Sequence, residues 1–413
     1  MVLAGGATVA QLLAAAASPL LTRLYRPPEL GEFGLVLAFL NLAAVGLTLR
    51  LEMAVVSAPS EREAGRVASA AILIVPITAT ASAAIFFALV AVSVGGYGEL
   101  TPAWALLVPI PLVAMGFLAV LRSWMVRRQA FAPLSHIAVI QSGVRAGTQL
   151  TMGLLGAGSV GLVFGDLIGR AAGVSRLALR EFPAIAAAAG GISGRRAADV
   201  VRRYWKYPVY SLPSSLLNAL PHAMVVPFIG QFYGIGLAGQ YVLAGTVFAV
   251  PLTIVGASVA DAFHGRIAEL ARVAPAAAKG FFVRTVGALA LVGIVIGTTL
   301  FLAAPTVFPW LFGDEWQTAG YVAAVTAPRM VIHLIVSPLS RVIYVYGGQE
   351  AKLLFDSLLL IAIVGSLLTA YLLHMSFITA LAVLTAADVF TYVVYGGILW
   401  WLVHRSSPQP TES

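Results

Sequence analysis

Short polar breaks divide the chain into apolar runs, each long enough to cross a bilayer as a helix. A hydrocarbon core roughly 30 Å thick requires about 20 apolar residues per helical span. Only 10% of the 413 residues are charged, against roughly 25% in a typical soluble domain. The twelve runs that we predict as spans are 2–22, 33–58, 67–94, 102–125, 133–155, 159–179, 207–232, 237–262, 281–303, 318–342, 353–374 and 377–403.

The length of the runs indicates helices. Helices and closed β-barrels both satisfy the backbone in lipid, but barrel strands are about ten residues of alternating polarity, whereas these runs are continuously apolar. The first run has no basic start and another span follows at once, so we interpret it as a helix and not as a secretory signal. We predict an all-α integral membrane protein.

Basic residues are concentrated in alternate loops. With the N-terminus inside, the outer loops contain only Arg23 and Arg26. The inner loops and tail contain Arg62, Arg66, Arg127, Arg128, Lys352, Arg405 and the basic residues of 180–206 and 266–279. Positively charged short loops stay in the cytoplasm, so both termini are predicted to be cytoplasmic. The net charge of +8 therefore reflects topology, and a nucleic-acid partner is not expected.

The sequence gives no indication of a metal or cofactor. Cysteine is absent, which excludes disulfides and cysteine-ligated metals. The six histidines form no HxxxH or HExxH pattern.

The longest inner loop, 180–206, separates the predicted halves 1–179 and 207–404, and a tail follows over 405–413. Its apolar residues recur at helical spacing, so we predict an interfacial helix at an anionic membrane surface. Val200, Val201, Tyr204 and Trp205 would face lipid, and Arg196, Arg203 and Lys206 would meet headgroups. A solvated linker with a helical end is the alternative.

A shift of 208 residues aligns parts of the two halves. It matches Pro19 with Pro227, Gly31 with Gly239 and Glu32 with Gln240. Six spans per half predict two repeats related by an axis along the membrane normal, as in many secondary transporters, whose binding sites adjoin broken helices. The seventh span carries Pro213 and Pro221, which we predict as hinge points of a gate, whereas ordinary positions at helix ends explain Pro208 and Pro227 equally well.

Five charged residues lie deep inside predicted spans, where a charge costs at least about 2.5 kcal/mol. They are Arg145, Asp166, Arg170, Arg329 and Asp388. Asp166 and Arg170 are spaced as a helical ion pair, on a span whose glycines at 161, 165, 169 and 173 allow close helix packing.

Two of these arginines have no acid within a helical turn. Arg145 has only Gln141 and Gln149 on its own face, and Arg329 has His333, which can titrate near neutral pH. An unpaired arginine presents a donor fork suited to phosphate. Pairing with Asp388 or Asp356 is the alternative for each arginine. Asp166, Asp388 and His333 are candidate ion-coupling residues.

Arg50 and Glu52 lie near the inner end of the second predicted span. Two positions apart on a helix, they would point to nearly opposite faces, so we do not expect them to pair. After the 208-residue shift they correspond to Ser258 and Ala260. Because one half alone carries them, we interpret them as gate residues.

Several segments of the first two spans resemble a known family. Gly6-Ala7-Thr8-Val9-Ala10-Gln11, Leu21-Thr22-Arg23-Leu24-Tyr25, Gly31-Glu32-Phe33-Gly34 and Arg50-Leu51-Glu52-Met53-Ala54-Val55 closely resemble the opening of bacterial polysaccharide-biosynthesis flippases. These belong to the multidrug/oligosaccharidyl-lipid/polysaccharide (MOP) exporter superfamily, whose MATE-like fold has twelve helices in two six-helix halves. The chain departs from the family in lacking a basic stretch before the first span.

The resemblance implies an ion-coupled flippase of the bacterial inner membrane. Its substrate would be an undecaprenyl-diphosphate-linked oligosaccharide, carried outward for O-antigen, capsule or exopolysaccharide assembly with H+ or Na+ as coupling ion. Polysaccharide polymerases and glycosyltransferases would be its partners, with anionic lipid at the cytoplasmic face. Arg145, Arg170 and Arg329 would bind the diphosphate. Gln11, Asn41, Gln141 and Gln149 would bind sugar.

Two other functions compete with this interpretation. A drug or small-solute antiporter of the same fold would favour an acidic cavity, whereas arginines outnumber acids among the deep charges. A membrane glycosyltransferase or polymerase needs acidic catalytic residues in a sizeable loop. The outer loop with Asp314 and Glu315 is too short to build such a site.

Overall fold

A computed structural model describes residues 2–100, 104–191 and 194–405. Every regular element in these ranges is helical. In the first part of the chain the helices are α1 (Val2–Leu24), α2 (Pro27–Ala44), α3 (Leu51–Ser57), α4 (Glu61–Ala91), α5 (Trp104–Leu107), α6 (Pro109–Arg127), α7 (Phe131–Leu154), α8 (Gly158–Ala189), α9 (Gly194–Arg203) and α10 (Leu212–Tyr233). The remaining helices are α11 (Ile235–Pro251), α12 (Ser258–Val273), α13 (Pro275–Phe312), α14 (Gln317–Leu339), α15 (Val342–Tyr346), α16 (Gln349–Leu372) and α17 (Phe377–Arg405).

Nine helical segments within the described ranges are long and apolar enough to span a membrane. They correspond to predicted spans one, three, four and seven to twelve. The second predicted span is broken into α2 and α3, and the fifth and sixth are α7 and α8, which carry the polar residues of the site described below. The all-α, multi-pass prediction is therefore confirmed, while the count of twelve spans and the cytoplasmic termini remain predictions.

The second span contains an elbow, which we define as residues 45–52. Helix α2 ends at Ala44, and α3 begins at Leu51 after a turn. Leu49 and Arg50 have φ angles of 51° and 63°, a left-handed conformation that costs a residue with a side chain about 1 kcal/mol or more. Thr78 Oγ1 on α4 donates a hydrogen bond to the Leu47 carbonyl at 2.6 Å. The predicted continuous helix over 33–58 is therefore wrong at this point.

The eighth predicted span is also irregular. Helix α11 ends at Pro251, a π-helical turn follows over Leu252–Ala257, and α12 continues the path. Proline removes one backbone donor and collides with the preceding turn of an α-helix, which accounts for the wider turn at this position.

The described chain forms two compact units, 1–242 and 243–413. In unit 1 a hydrophobic core that includes Leu51, Val67, Trp124, Leu177 and Val200 joins α3, α4, α6, α8 and α9. In unit 2 α14 packs on α13, where small residues allow contact: a Cβ on Gly320 would lie 2.6 Å from the Ala304 carbonyl oxygen.

Helix α9 lies against protein through its apolar face. Val200 is 6% exposed, and Val201 and Tyr204 pack against the core of unit 1. Arg203 lies 3.5 Å from Glu63 on α4. The expectation that Val200, Val201 and Tyr204 face lipid is therefore wrong, because α4 supplies the apolar partner, whereas Trp205 is exposed.

The two hairpins matched by the 208-residue shift touch each other within unit 1. A Cβ on Gly31 would collide with the Ile235 carbonyl oxygen, and a Cβ on Gly239 would collide with the Pro27 carbonyl oxygen. Under the 208-residue shift, residue 27 corresponds to residue 235 and residue 31 to residue 239. The contact of 31 with 235 and the contact of 239 with 27 are therefore reciprocal. A two-fold relation between like segments produces such reciprocity, and glycine at both positions permits the close approach.

Candidate functional site

The glycines of α8 at positions 161, 165, 169 and 173 form a ladder on one face of the helix, and α7 packs closely against it. A Cβ on Gly169 would lie 2.5 Å from the Cβ of Arg145, and a Cβ on Gly173 would lie 2.6 Å from Ile137 Cγ2. The predicted close packing is confirmed, with α7 as the partner helix. The ladder thus places the polar residues of α7 directly beside Asp166 and Arg170.

Arg145, Asp166 and Arg170 form one group, which we term the arginine–aspartate cluster. Arg170 Nε lies 2.6 Å from Asp166 Oδ2, and Arg145 Nη1 lies 3.5 Å from Asp166 Oδ1. The aspartate is 2% exposed, whereas the side chains of Arg145 and Arg170 are 33% and 22% exposed. Two permanent cations on one carboxylate leave an excess positive charge that is accessible to a ligand.

This geometry corrects the predicted alternative for Arg145. The acid partner of Arg145 is Asp166, 21 positions along the chain, and not Asp388 or Asp356. Spacing on one helix could not reveal this pair, because the contact crosses between α7 and α8.

The two glutamines beside Arg145 hold the helices together. Gln149 is 4% exposed, and its Nε2 donates to the Leu162 carbonyl at 2.8 Å. Gln141 Nε2 donates to the Arg170 carbonyl at 2.9 Å. Burial and this bond remove Gln149 from the proposed sugar-binding set, and the amide nitrogen of Gln141 is similarly occupied.

The other predicted sugar-binding and gate residues are spread over unit 1. Gln11 is partly exposed on α1, and Asn41 is exposed on α2. Pro221 is buried inside α10, whereas Pro213 is near the first residue of that helix. A π-helical turn over Tyr207–Ser211 runs directly into α10, so both prolines lie within one helical segment and both stay hinge candidates.

The elbow brings Arg50 and Glu52 together. Arg50 Nη1 lies 3.1 Å from Glu52 Oε1, and Thr48 Oγ1 donates to Glu52 Oε2. The expectation that the two charges do not pair is therefore wrong. It assumed an unbroken helix, whereas the left-handed conformation of Arg50 redirects its side chain. Thr48 was not singled out in the sequence, although it precedes Glu52 by four residues.

A second group lies in unit 2, between α14 and α17. We term Arg329, His333 and Asp388 the histidine–aspartate cluster. His333 Nε2 lies 2.6 Å from Asp388 Oδ2, and Arg329 Nε lies 3.4 Å from the same oxygen. Asp388 is fully buried at 0% exposure. Of the two acids considered for Arg329, Asp388 is the partner, while Asp356 contacts Lys352 at 2.6 Å.

Tyr392 is a further member of this environment. Its ring stacks on the His333 ring with centroids 3.9 Å apart, and Phe355 contacts Tyr392 edge-on at 5.2 Å. The sequence could have indicated this, because Tyr392 follows Asp388 by four positions and therefore lies on the same face of the helix. The described residues include no group of three His, Asp or Glu side chains that could hold a metal ion.

Comparison with solved structures identifies the fold. An inward-facing MATE multidrug resistance transporter of the MOP superfamily matches with a TM-score of 0.66 and 15% identity, covering 96% of each chain. The lipid II flippase MurJ in an inward closed conformation matches with a TM-score of 0.68 and 10% identity, covering 94% of this chain and 86% of MurJ. A MOP superfamily transporter from Pyrococcus furiosus Vc1 matches with a TM-score of 0.54 and 14% identity, covering 98% of this chain and 96% of that transporter. The chain thus has the MOP transporter fold.

Comparison of sequences identifies the family. No curated protein matches this chain. The model of the family described as polysaccharide biosynthesis protein matches residues 20–320, which is more than half of the sequence and includes the elbow and the arginine–aspartate cluster. The chain therefore belongs to the polysaccharide biosynthesis protein family.

Proposed function

We propose that this protein flips an undecaprenyl-diphosphate-linked oligosaccharide from the cytoplasmic to the outer leaflet of the bacterial inner membrane. The observation that carries the proposal is the excess positive charge of the arginine–aspartate cluster. Asp166 is bound by two arginines at 2.6 and 3.5 Å, so it neutralises one of them. A guanidinium with spare donors binds phosphate oxygens in a planar, bidentate manner.

The charge of the cluster also favours one of the two transporter classes. A cationic drug would be repelled by Arg145 and Arg170, whose side chains are partly exposed, while Asp166, which contacts both, is buried. The Pyrococcus furiosus transporter is described as having a binding pocket of reversed polarity that suggests a different function. The charge of the cluster is likewise the property that favours an anionic lipid substrate here, and it disfavours drug export.

The histidine–aspartate cluster supports proton coupling. Asp388 is fully buried and already contacts two basic groups, Arg329 and His333. A Na+ site requires several free oxygen ligands, whereas these contacts place cations around the carboxylate. Histidine can gain or lose a proton near neutral pH, so we assign H+ as the coupling ion, with His333 as its carrier.

Arg145→Ala tests the proposed function. Purified protein is reconstituted in vesicles, and movement of a fluorescent lipid-linked oligosaccharide across the bilayer is measured. Loss of a charge-assisted contact worth about 3 kcal/mol should slow transport by about 100-fold. Protein level should stay normal because Asp166 keeps Arg170. Arg145→Lys preserves the charge but not the donor fork, so its transport rate should lie between those of the wild type and Arg145→Ala. Wild-type transport by Arg145→Ala would refute the proposed role.

A further inference from the structure

A groove between α7 and α8 combines apolar walls with a cationic rim. Its volume is about 400 Å³. The groove lies along the half of α8 that the distribution of basic residues predicts to be nearer the cytoplasm. Its principal lining residues are Ile137, Ile140 and Leu177 on the walls and His136, Arg176 and Arg180 at the rim.

The two rim arginines differ in how far their charge is compensated. Arg180 Nε lies 3.5 Å from Glu181 Oε1, and Glu181 also lies 3.9 Å from Arg128. Arg176 is exposed, and no acid among the described residues lies within ion-pair distance of it. The rim therefore carries a positive charge that the protein itself does not neutralise, directly beside an apolar surface. An amphiphile with an anionic head matches both features.

The groove lies along the same pair of helices as the arginine–aspartate cluster. Gly173 and Ile137 line the groove, and one turn further along the same helix contact Gly169 lies against Arg145. Arg176 is six positions after Arg170, which corresponds to about 9 Å along the axis of α8. A diphosphate held at Arg176 would have to move this far along the helix, and also around it, to reach Arg170.

We propose that this groove is the docking site at which the diphosphate of the lipid carrier first binds. Arg176, with Arg180 and His136, holds the phosphates, and the first prenyl units lie against Ile137, Ile140 and Leu177. This inference rests on the proposed function and adds an entry step to it. A diphosphate suits the site better than a single phosphate because three basic side chains surround the rim.

The test uses the full chain in phosphatidylcholine vesicles, with farnesyl diphosphate as the binding probe. Arg176→Gln combined with Arg180→Gln removes two cationic contacts to the diphosphate. It should weaken probe binding by about tenfold, which corresponds to about 1.4 kcal/mol. The lipid-linked oligosaccharide concentration for half-maximal transport should rise by about tenfold, with the maximal rate unchanged. Arg122→Gln, an exposed arginine on α6, is the matched control and should behave as wild type. If the double variant is unstable, Arg176→Gln alone is measured.

The outcomes separate this proposal from the proposed function. Unchanged half-maximal concentration in the rim variants overturns the docking site, while a transport defect in Arg145→Ala keeps the proposed function. Normal transport in both sets of variants refutes both. If the rim variants bind the probe normally but lose phosphatidylglycerol that the wild type retains in native mass spectra, the groove holds a structural phospholipid and the proposal is wrong.

Discussion

The arginine–aspartate cluster of unit 1 and the histidine–aspartate cluster of unit 2 contain similar parts but differ in charge. Each has one buried aspartate contacted by two basic side chains, and each lies between a pair of packed helices. In the first cluster both bases are arginines, which stay protonated in proteins. In the second, one base is His333, whose charge can change. A fixed surplus of positive charge suits anion binding, whereas a variable charge suits coupling to protons.

Removing each aspartate is the strongest way to test this difference. Asp166→Ala leaves two arginines without their shared carboxylate, and neither can lose its proton. We expect a destabilisation of about 3 kcal/mol, as for other broken buried ion pairs. Asp388→Ala should cost less, because His333 can become neutral and Arg329 alone is then left as a fixed charge. Thermal unfolding in detergent micelles measures both variants. Equal losses would show that the two clusters do not differ in fixed charge.

A methyl group added at Gly169 tests how the first cluster is positioned. The new Cβ would lie 2.5 Å from Arg145 Cβ, so Gly169→Ala should separate α7 from α8 and cost about 2 kcal/mol through overpacking. Gly397 on α17 in unit 2 is the control, since nothing lies within 4 Å of its added Cβ. Gly397→Ala should be neutral or slightly stabilising. Chemical denaturation compares the two variants, and similar stabilities would contradict the close packing of α7 on α8 at Gly169.

The features predicted correctly are those recorded in local patterns. Run length revealed the helices, and the four-residue spacing of glycines on α8 revealed a packing face without naming the partner. Asp166–Arg170 pairing followed from spacing on one helix. These features need no knowledge of the tertiary structure, because the periodicity of a helix determines which residues share a face.

The features that were predicted wrongly depend on tertiary structure or backbone strain. The acid that contacts Arg145 is Asp166, which lies on a different helix. The apolar face of α9 packs against α4 and not against lipid. The elbow contains left-handed conformations at Leu49 and Arg50, where the sequence has no glycine. Contacts from other helices, such as the hydrogen bond from Thr78 to the Leu47 carbonyl, hold this conformation. A local sequence pattern therefore does not predict it.

His333→Gln tests the variable charge of the second cluster with the smallest expected effect. If one proton moves per cycle, a difference of one pH unit across the membrane supplies about 1.4 kcal/mol. The steady-state distribution of lipid-linked oligosaccharide should then shift by about tenfold per pH unit in wild-type vesicles. Glutamine keeps a polar group near Asp388 but cannot carry a proton, so the variant should equilibrate substrate without responding to the gradient. Arg145→Lys, altered in the first cluster, should retain the response. A gradient response that survives in His333→Gln would assign proton coupling to other residues and remove the functional contrast between the clusters.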